Sequence, residues 1–417
     1  MWIAGELRVK TFLYVEEAEN ALVNALIKRR DIRLILIRFS NCNFFSNKHI
    51  LLTKNIPTFM IDKSADFIQE CVRLDVFLKG ICDKVDIFYN DSEFNQVYIQ
   101  KVARQLHFPG ALTQLQADIV RDKIQMKDFI NRIGLSCPKY TILNSYEDAL
   151  KCAIKWGYPF VIKWRMGVSS IEVYKIESEE QLEKLSLDYT SQKYMAEQFQ
   201  NEKIWCIDAI VRSGKVIQNF YTWLPFTNLD FAENKKKFTQ LAVGYSQKSW
   251  HFDPKKITQT IVSELNLGSG YLHLEVFVTE KGNPLICEFA WRTPGEHMLQ
   301  NFTVLYGKSI EDYLIDTLLG IPVQLLPEFV QCVADVFLPM MEGKIRKISS
   351  IEDLKVTCDL LDGEIFYKCG DVLKSRHKYT DSTGWVQVSG INIDDILAKI
   401  NQVYLHYQLE TEVKSDK

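Results

Sequence analysis

Short apolar strands alternate with amphipathic helices through the first 112 residues, and no other feature of the chain restricts its fold as much. KTFLYVE reads as a strand and EEAENALVNALIKRR as a helix. IRLILIRF and PTFMID read as strands, ADFIQECVRLDVFLKGICDK as a helix, VDIFYN as a strand and SEFNQVYIQKVARQLHF as a helix. Strands this apolar are buried on both faces, the habit of a parallel sheet covered by helices. The pattern predicts a doubly wound α/β domain over residues 1–112. Its first strand is not followed by GxGxxG, so no dinucleotide site is expected there. Ligands of such sheets sit at the carboxyl ends of the strands. Asp91 and Glu93, just after VDIFYN, are therefore a candidate site edge. The simpler reading of the same two residues is a helix N-cap with an acidic first turn.

The pattern changes after residue 112. ADIVRDKIQMKDFINRIG reads as one helix ending at Gly134, where glycine marks a C-cap. PKYTILN, the helix SYEDALKCAIKWG and the strand FVIKW follow, then a Ser/Gly turn in RMGVSSIEVYKI. KYMAEQF, WCIDAIVRSGKVIQNFYTW, SGYLHLEVFVTE and GNPLICEFAWR read as antiparallel strands, with RSGK and EKGN as hairpin turns. The tail mixes strands such as CVADVFLPM and GWVQVSG with the helix NIDDILAKINQVYLHYQLET. The expected division is 1–112, 113–190, 191–325 and 326–417, the last an α+β unit.

Net charge is −3, so no basic field points to nucleic acid. The ten cysteines are scattered without CxxC or a Cys/His zinc spacing. Reduced thiols of a cytoplasmic protein are expected, not a disulfide framework. No signal peptide is read at the N-terminus, and the longest apolar runs are too short to span a membrane.

Candidate chemistry gathers near the EKGN turn. Side chains alternate along a strand, so Tyr271, His273 and Glu275 share one face, and Glu288, Ala290 and Arg292 share another. If the two strands form a hairpin, Glu275 and Glu288 sit side by side. Two close carboxylates repel unless a cation intervenes, and a hard cation such as Mg²⁺ answers that need. A pair on a solvated sheet face is the plainer alternative. Arg292 offers a planar fork to a further anion. Lys163 ends the apolar PFVIKW just before a turn holding Gly167, Ser169 and Ser170, an arrangement suited to phosphate. Lys123 alone reads as a solvated helix lysine. Glu197 follows an apolar strand start, with Phe199 beside it, where backbone can read an adenine edge.

From RDK to EFAWR the chain resembles the ATP-grasp superfamily of carboxylate–amine ligases. The motifs fall in order: a lysine in RDKIQMKDFINRIGLSCPKY, a second in GYPFVIKW, a Gly/Ser loop, EQF, HLEVF and CEFAWR. The tail, with EGKIRKISSIEDLK and GDVLKSRHKYTDSTGWVQVSG, is most similar to that of bacterial L-amino-acid ligases, which join two amino acids into a dipeptide. The resemblance implies an ATP-grasp fold, with a doubly wound N-terminal domain, a two-lobed core divided into 113–190 and 191–325, and a C-terminal α+β domain. It implies that Lys123 and Lys163 bind ATP phosphates and that the 166–170 loop closes over them. It implies that Glu197 and Phe199 frame the adenine, and that Glu275 and Glu288 hold Mg²⁺, with Mn²⁺ as an alternative. Arg292 would stabilise the acyl phosphate, and a homodimer is the implied assembly. The family's metal strand has Glu-x-Asn-x-Arg, whereas this chain has Ala290 at the Asn position. Its ribose glutamate falls at Ile204, with Glu202 as a substitute, and its proline after the second lysine is Trp164.

The expected reaction is ATP-dependent joining of two amino acids through an acyl phosphate. His273, Glu93 and Glu296 are the candidate substrate contacts. Glu296, four residues beyond Arg292, points to a cationic first substrate, arginine or lysine. Its alternative is to cap the next helix. Segment 224–247 is a candidate lid or a solvated loop. Rival readings are a ligase that loads an amino acid onto a carrier protein or small metabolite, a biotin-dependent carboxylase, and a nucleotide-binding module without turnover.

Overall fold

Four strands, β1 (Lys10–Val15), β2 (Ile32–Phe39), β3 (Thr58–Ile61) and β4 (Ile87–Asn90), form a parallel sheet in the order β3-β2-β1-β4. The computed structural model describes residues 9–40, 45–168, 171–225, 238–245, 251–295, 297–324, 326–327, 331–374 and 382–412. Central β1 is buried on both faces. Leu13 and Val15 pack with Ile35 and Ile37 against helices Phe67–Lys79 and Gln96–Gln105. Phe12 and Tyr14 pack on the other side with Leu22, Val23 and Leu26 of helix Ala21–Lys28. That second core continues into helices Met298–Tyr306 and Ile310–Leu319 and onto the largest sheet. The expected α/β pattern of this region is what the structure has.

The second sheet is antiparallel: β5 (Tyr140–Ile142), β6 (Phe160–Trp164), β7 (Val173–Ile176) and β8 (Tyr194–Gln198), in the order β5-β8-β6-β7. Phe160, Ile162, Tyr194 and Ala196 face their own core with Ala149 and Cys152 of helix Tyr146–Trp156. Strand alternation then sends Lys163 and Glu197 to the opposite face.

The largest sheet has eight antiparallel strands. It is built from β9 (Ile204–Arg212), β10 (Lys215–Leu224), β11 (Phe238–Val243), β12 (Gly270–Val278) and β13 (Pro284–Ala290), with β14 (Cys332–Phe337) and two further strands from the tail. The tail continues as β15 (Gly343–Ile348), β16 (Asp362–Ile365), β17 (Val372–Leu373), β18 (Gly384–Gly390) and β19 (Leu409–Glu412). The large sheet runs β13-β12-β9-β10-β11-β14-β18-β16, and β17-β15-β19 form a small sheet beside it. Strands β14, β16 and β18 of the tail thus share the large sheet with the stretch before them.

Two expectations on elements are corrected. The helix read through 117–134 is two helices, Gln114–Ile119 and Lys123–Arg132. The first ends at its C-cap Val120, and Asp122 starts the second, its side chain accepting the Ile124 N–H at 2.9 Å. The lid expected over 224–247 is in its second half a sheet strand: β11 pairs with both β10 and β14. Its alternation of Leu241 and Val243 into one core with Ala242 into the other marks a strand buried on both faces. Residues 226–237 and 246–247 lie outside the described residues. Among the described residues no helix is long and apolar enough to cross a membrane.

Candidate active site

The hairpin of β12 and β13 places Glu275 opposite Glu288 in register. A bulge between Glu275 and Val276 leaves Cys287 as the extra residue on β13. Bulges re-aim groups next to sites, and here the Cys287 carbonyl accepts a hydrogen bond from Lys127 Nζ at 2.9 Å. On the neighbouring strand β9, Cys206 pairs with Glu275. Cys206, His273 and Glu275 bring one ligand atom each within 4.8 Å of the others. His273 is the register partner of Ala290. Its Nδ1 lies 2.6 Å from Asp208 Oδ1, and its Nε2 lies 3.7 Å from Glu275 Oε1. Burial pushes the imidazole down, but Asp208 and Glu275 outweigh burial and hold it up at about 10. His273 is therefore an imidazolium at neutral pH, anchored in the sheet.

Three lysines reach the same face. Lys123 and Lys127 lie one turn apart on helix Lys123–Arg132, and i,i+4 spacing aims both the same way. The helix docks on β13 through Phe129 against Phe289, ring centroids 6.2 Å apart. Lys123 Nζ lies 2.9 Å from Glu288 Oε2 and donates to the Gly167 carbonyl at 2.8 Å. Lys127 and Lys163 share Glu197, at 2.7 and 3.1 Å from its Oε2. Burial pushes the Glu197 carboxyl up, yet the two lysines together hold it below its usual range. Lys123, Lys127 and Lys163 thus meet only Glu288 and Glu197, so this cluster of five side chains carries a surplus cation that suits an anion.

Lys127 is a site residue that sequence reading missed, although its spacing from Lys123 announced it. Replacing Lys127 by Met strands part of the buried Glu197 charge. We expect a stability loss of about 3–5 kcal/mol, checked by urea unfolding. A loss below 1 kcal/mol would contradict the pairing.

Residues just after β4 also reach this face. Arg292 Nε donates to Glu93 Oε2 at 2.8 Å, a contact 199 residues apart in sequence. Asp91 accepts from the Thr293 N–H at 2.8 Å and from the Thr293 hydroxyl at 2.7 Å. Its other oxygen accepts from the Tyr14 hydroxyl at 2.9 Å and from Asn20 Nδ2 at 3.0 Å. These carboxylates do not cap the next helix: its N-cap is Asn95, whose side chain makes no capping bond. The capping reading is thereby corrected. Asp91→Asn leaves one oxygen to serve both Thr293 and Tyr14. Turnover is expected to fall roughly 10- to 100-fold with the fold intact, measured as kcat beside a melting curve. Unchanged kcat would show that Asp91 does not position the Arg292 strand.

Glu93, Arg121, Lys123, His273, Glu275, Glu288, Ala290 and Arg292 line one cavity. Burial pulls the Arg121 guanidinium below its usual range, and the attraction of Glu93, Glu288 and Glu17 does not offset it. Gly167 sits beside Lys123 in the turn after β6. Phe199 lies under Lys175, whose Nζ is 5.1 Å from the ring centroid. Glu202 lines a different cavity of about 400 Å³ with Trp205, His251 and Phe252. Ser169, Ser170 and Glu296 lie outside the described residues.

No family model matches the sequence. An L-arginine-specific L-amino acid ligase of Bacillus subtilis is 20% identical over 281 residues, 64% of this chain and 66% of that protein. An L-amino acid ligase from Bacillus licheniformis superposes with a TM-score of 0.73 at 16% identity, covering 97% of this chain and 100% of that chain. The chain has the ATP-grasp fold. N5-carboxyaminoimidazole ribonucleotide synthetase from Thermotoga maritima shares this fold at a TM-score of 0.67 and 17% identity, over 97% of this chain and 100% of that one. The biotin carboxylase domain of Hydrogenobacter thermophilus 2-oxoglutarate carboxylase shares it at 0.64 and 14%, over 96% and 90%. Within this fold, Lys123 of helix Lys123–Arg132 meets Glu288 of the eight-stranded sheet, and Lys163 of the β5-β8-β6-β7 sheet meets Glu197 of that same sheet.

Proposed function

We propose that the chain is an ATP-dependent carboxylate–amine ligase that joins two amino acids into a dipeptide through an acyl phosphate. The observation that carries this reading is the convergence of three lysines beside the register-paired carboxylates Glu275 and Glu288: Lys123 on Glu288, with Lys127 and Lys163 on Glu197. Such a set fits a polyphosphate with its divalent cation. Two adjacent carboxylates fit Mg²⁺ or Mn²⁺, and Ala290 leaves the site without the family's amide ligand. When bound, the cation would neutralise charge on the phosphates.

The residues then divide the work. Lys123, Lys127 and Lys163 hold phosphate oxygens, and Lys123 exchanges Glu288 for phosphate as the nucleotide arrives. Arg292, fixed by Glu93 and by the Asp91–Thr293 bonds, holds the first substrate's carboxylate in line with the γ-phosphate. A carboxylate oxygen attacks phosphorus and ADP leaves, giving the acyl phosphate. The amine of the second amino acid attacks the carbonyl carbon, loses a proton, and phosphate leaves. Positioning and electrostatic stabilisation carry most of the rate.

Two facts favour a cationic first substrate: the arginine specificity named for the Bacillus subtilis relative, and the acidic Glu296 four residues after Arg292 in sequence. The test is mass spectrometry of products formed from ATP, Mg²⁺ and amino acids offered singly and in pairs. Dipeptides with arginine or lysine at the amino end are the expected result, and Glu296→Leu is expected to remove that preference. Dipeptides led by other residues would discard the cationic pocket and keep the ligase. ADP formation with no dipeptide from any pair would discard dipeptide synthesis.

A further inference from the structure

Arg121 is the cation left over when the charges in the cavity are paired. Glu93 is taken by Arg292 and Glu288 by Lys123. Glu275 has His273 beside it. Arg121 is only 3% exposed and lines the same cavity. Its Nη2 donates to the carbonyl of Met166, in the turn after β6, and the Phe94 ring lies 5.9 Å from its Cζ. Its Nε and Nη1 are both buried, and neither has a hydrogen-bond partner among the described residues. A buried guanidinium with two unmet donors is costly unless something supplies the acceptors. One anchored nitrogen and two free ones describe a group whose partner arrives from outside the protein.

We infer that Arg121 is an oxyanion-binding residue of the cavity, donating from Nε and Nη1 to separate oxygens of a carboxylate or phosphoryl group. It would work beside Arg292, whose Nε is occupied by Glu93. Because its third nitrogen holds the turn at 166, an anion on Arg121 is also tied to the loop that follows Lys163. The ligase reading bears only on which anion arrives; the oxyanion claim is tested without turnover.

The experiment compares wild type with Arg121→Met and Arg121→Lys in thermal melting. Inorganic phosphate is the probe for the phosphoryl source, and L-arginine and L-lysine are the probes for the carboxylate source. Without ligand, Arg121→Met is expected to melt no lower than wild type, since it removes unmet buried donors. At least one probe is expected to raise the wild-type melting temperature. Its apparent affinity falls roughly 10- to 100-fold in Arg121→Met, and Arg121→Lys recovers part of it. A phosphate response lost in the variant assigns the phosphoryl source; an amino-acid response lost assigns the carboxylate. If no probe shifts wild type, or every shift survives in Arg121→Met, the proposal is overturned. A sharp drop in the unliganded melting temperature of both variants would make Arg121 structural and also overturn it. Failure of the ligase reading would show instead as wild type that responds to these probes but forms no ADP.

Discussion

Arg292→Met is expected to lower turnover by about 10²–10³-fold while leaving ADP affinity nearly unchanged. In the proposed reaction the guanidinium meets charge that develops on the substrate, not charge already present on the nucleotide. Glu93 holds it from the N-terminal domain, and Thr293 next to it is tied down by Asp91. Arg292→Lys should not rescue, because an ammonium cannot reproduce a planar group whose Nε and Nη2 are held by Glu93 and whose Nη1 is held by the Thr293 carbonyl. Steady-state kcat beside ADP calorimetry makes the check. A large loss of ADP affinity with kcat preserved would move Arg292 from the substrate to the nucleotide.

Glu288→Gln is the second large effect. It removes one of two register-paired carboxylates and leaves Lys123 without its partner at 2.9 Å. Affinity for Mn²⁺, followed by electron paramagnetic resonance in the presence of ADP, is expected to fall on the order of 10²-fold or more. The same substitution has an acid signature. Burial pushes the Glu288 carboxyl up, but Lys123, Lys163 and Lys127 overcome it and hold the group at about 2, against 4.5 ordinarily. A carboxyl depressed on folding adds stability that is fully present above about pH 4.5 and is lost as pH falls toward 2. Wild type should therefore lose stability across that window more steeply than Glu288→Gln. Parallel acid-unfolding curves would show that Glu288 is not held by the lysines.

Strand alternation was enough to place Glu275 beside Glu288, because a period of two has only one way to keep Leu272, Leu274 and Phe289 in the core. The parallel sheet was legible for a similar reason: β1 and β2 carry apolar residues on both faces. The interdomain contacts were not legible. Asp91 and Glu93 sit where helix caps usually sit, and their true partners lie 202 and 199 residues away. Arg121 escaped notice because its role depends on which carboxylates are already taken by other cations, which only three-dimensional pairing reveals. Strand β11 read as a loop because the run before it, with three successive lysines, is polar, and its own six residues are short.

The most direct test of the account follows oxygen. The chain is incubated with ATP, Mg²⁺ and an amino acid pair whose first member carries ¹⁸O in its carboxylate, and the released phosphate is weighed. Activation through an acyl phosphate predicts one ¹⁸O in that phosphate for each dipeptide formed. Phosphate that carries no ¹⁸O while dipeptide accumulates would contradict it.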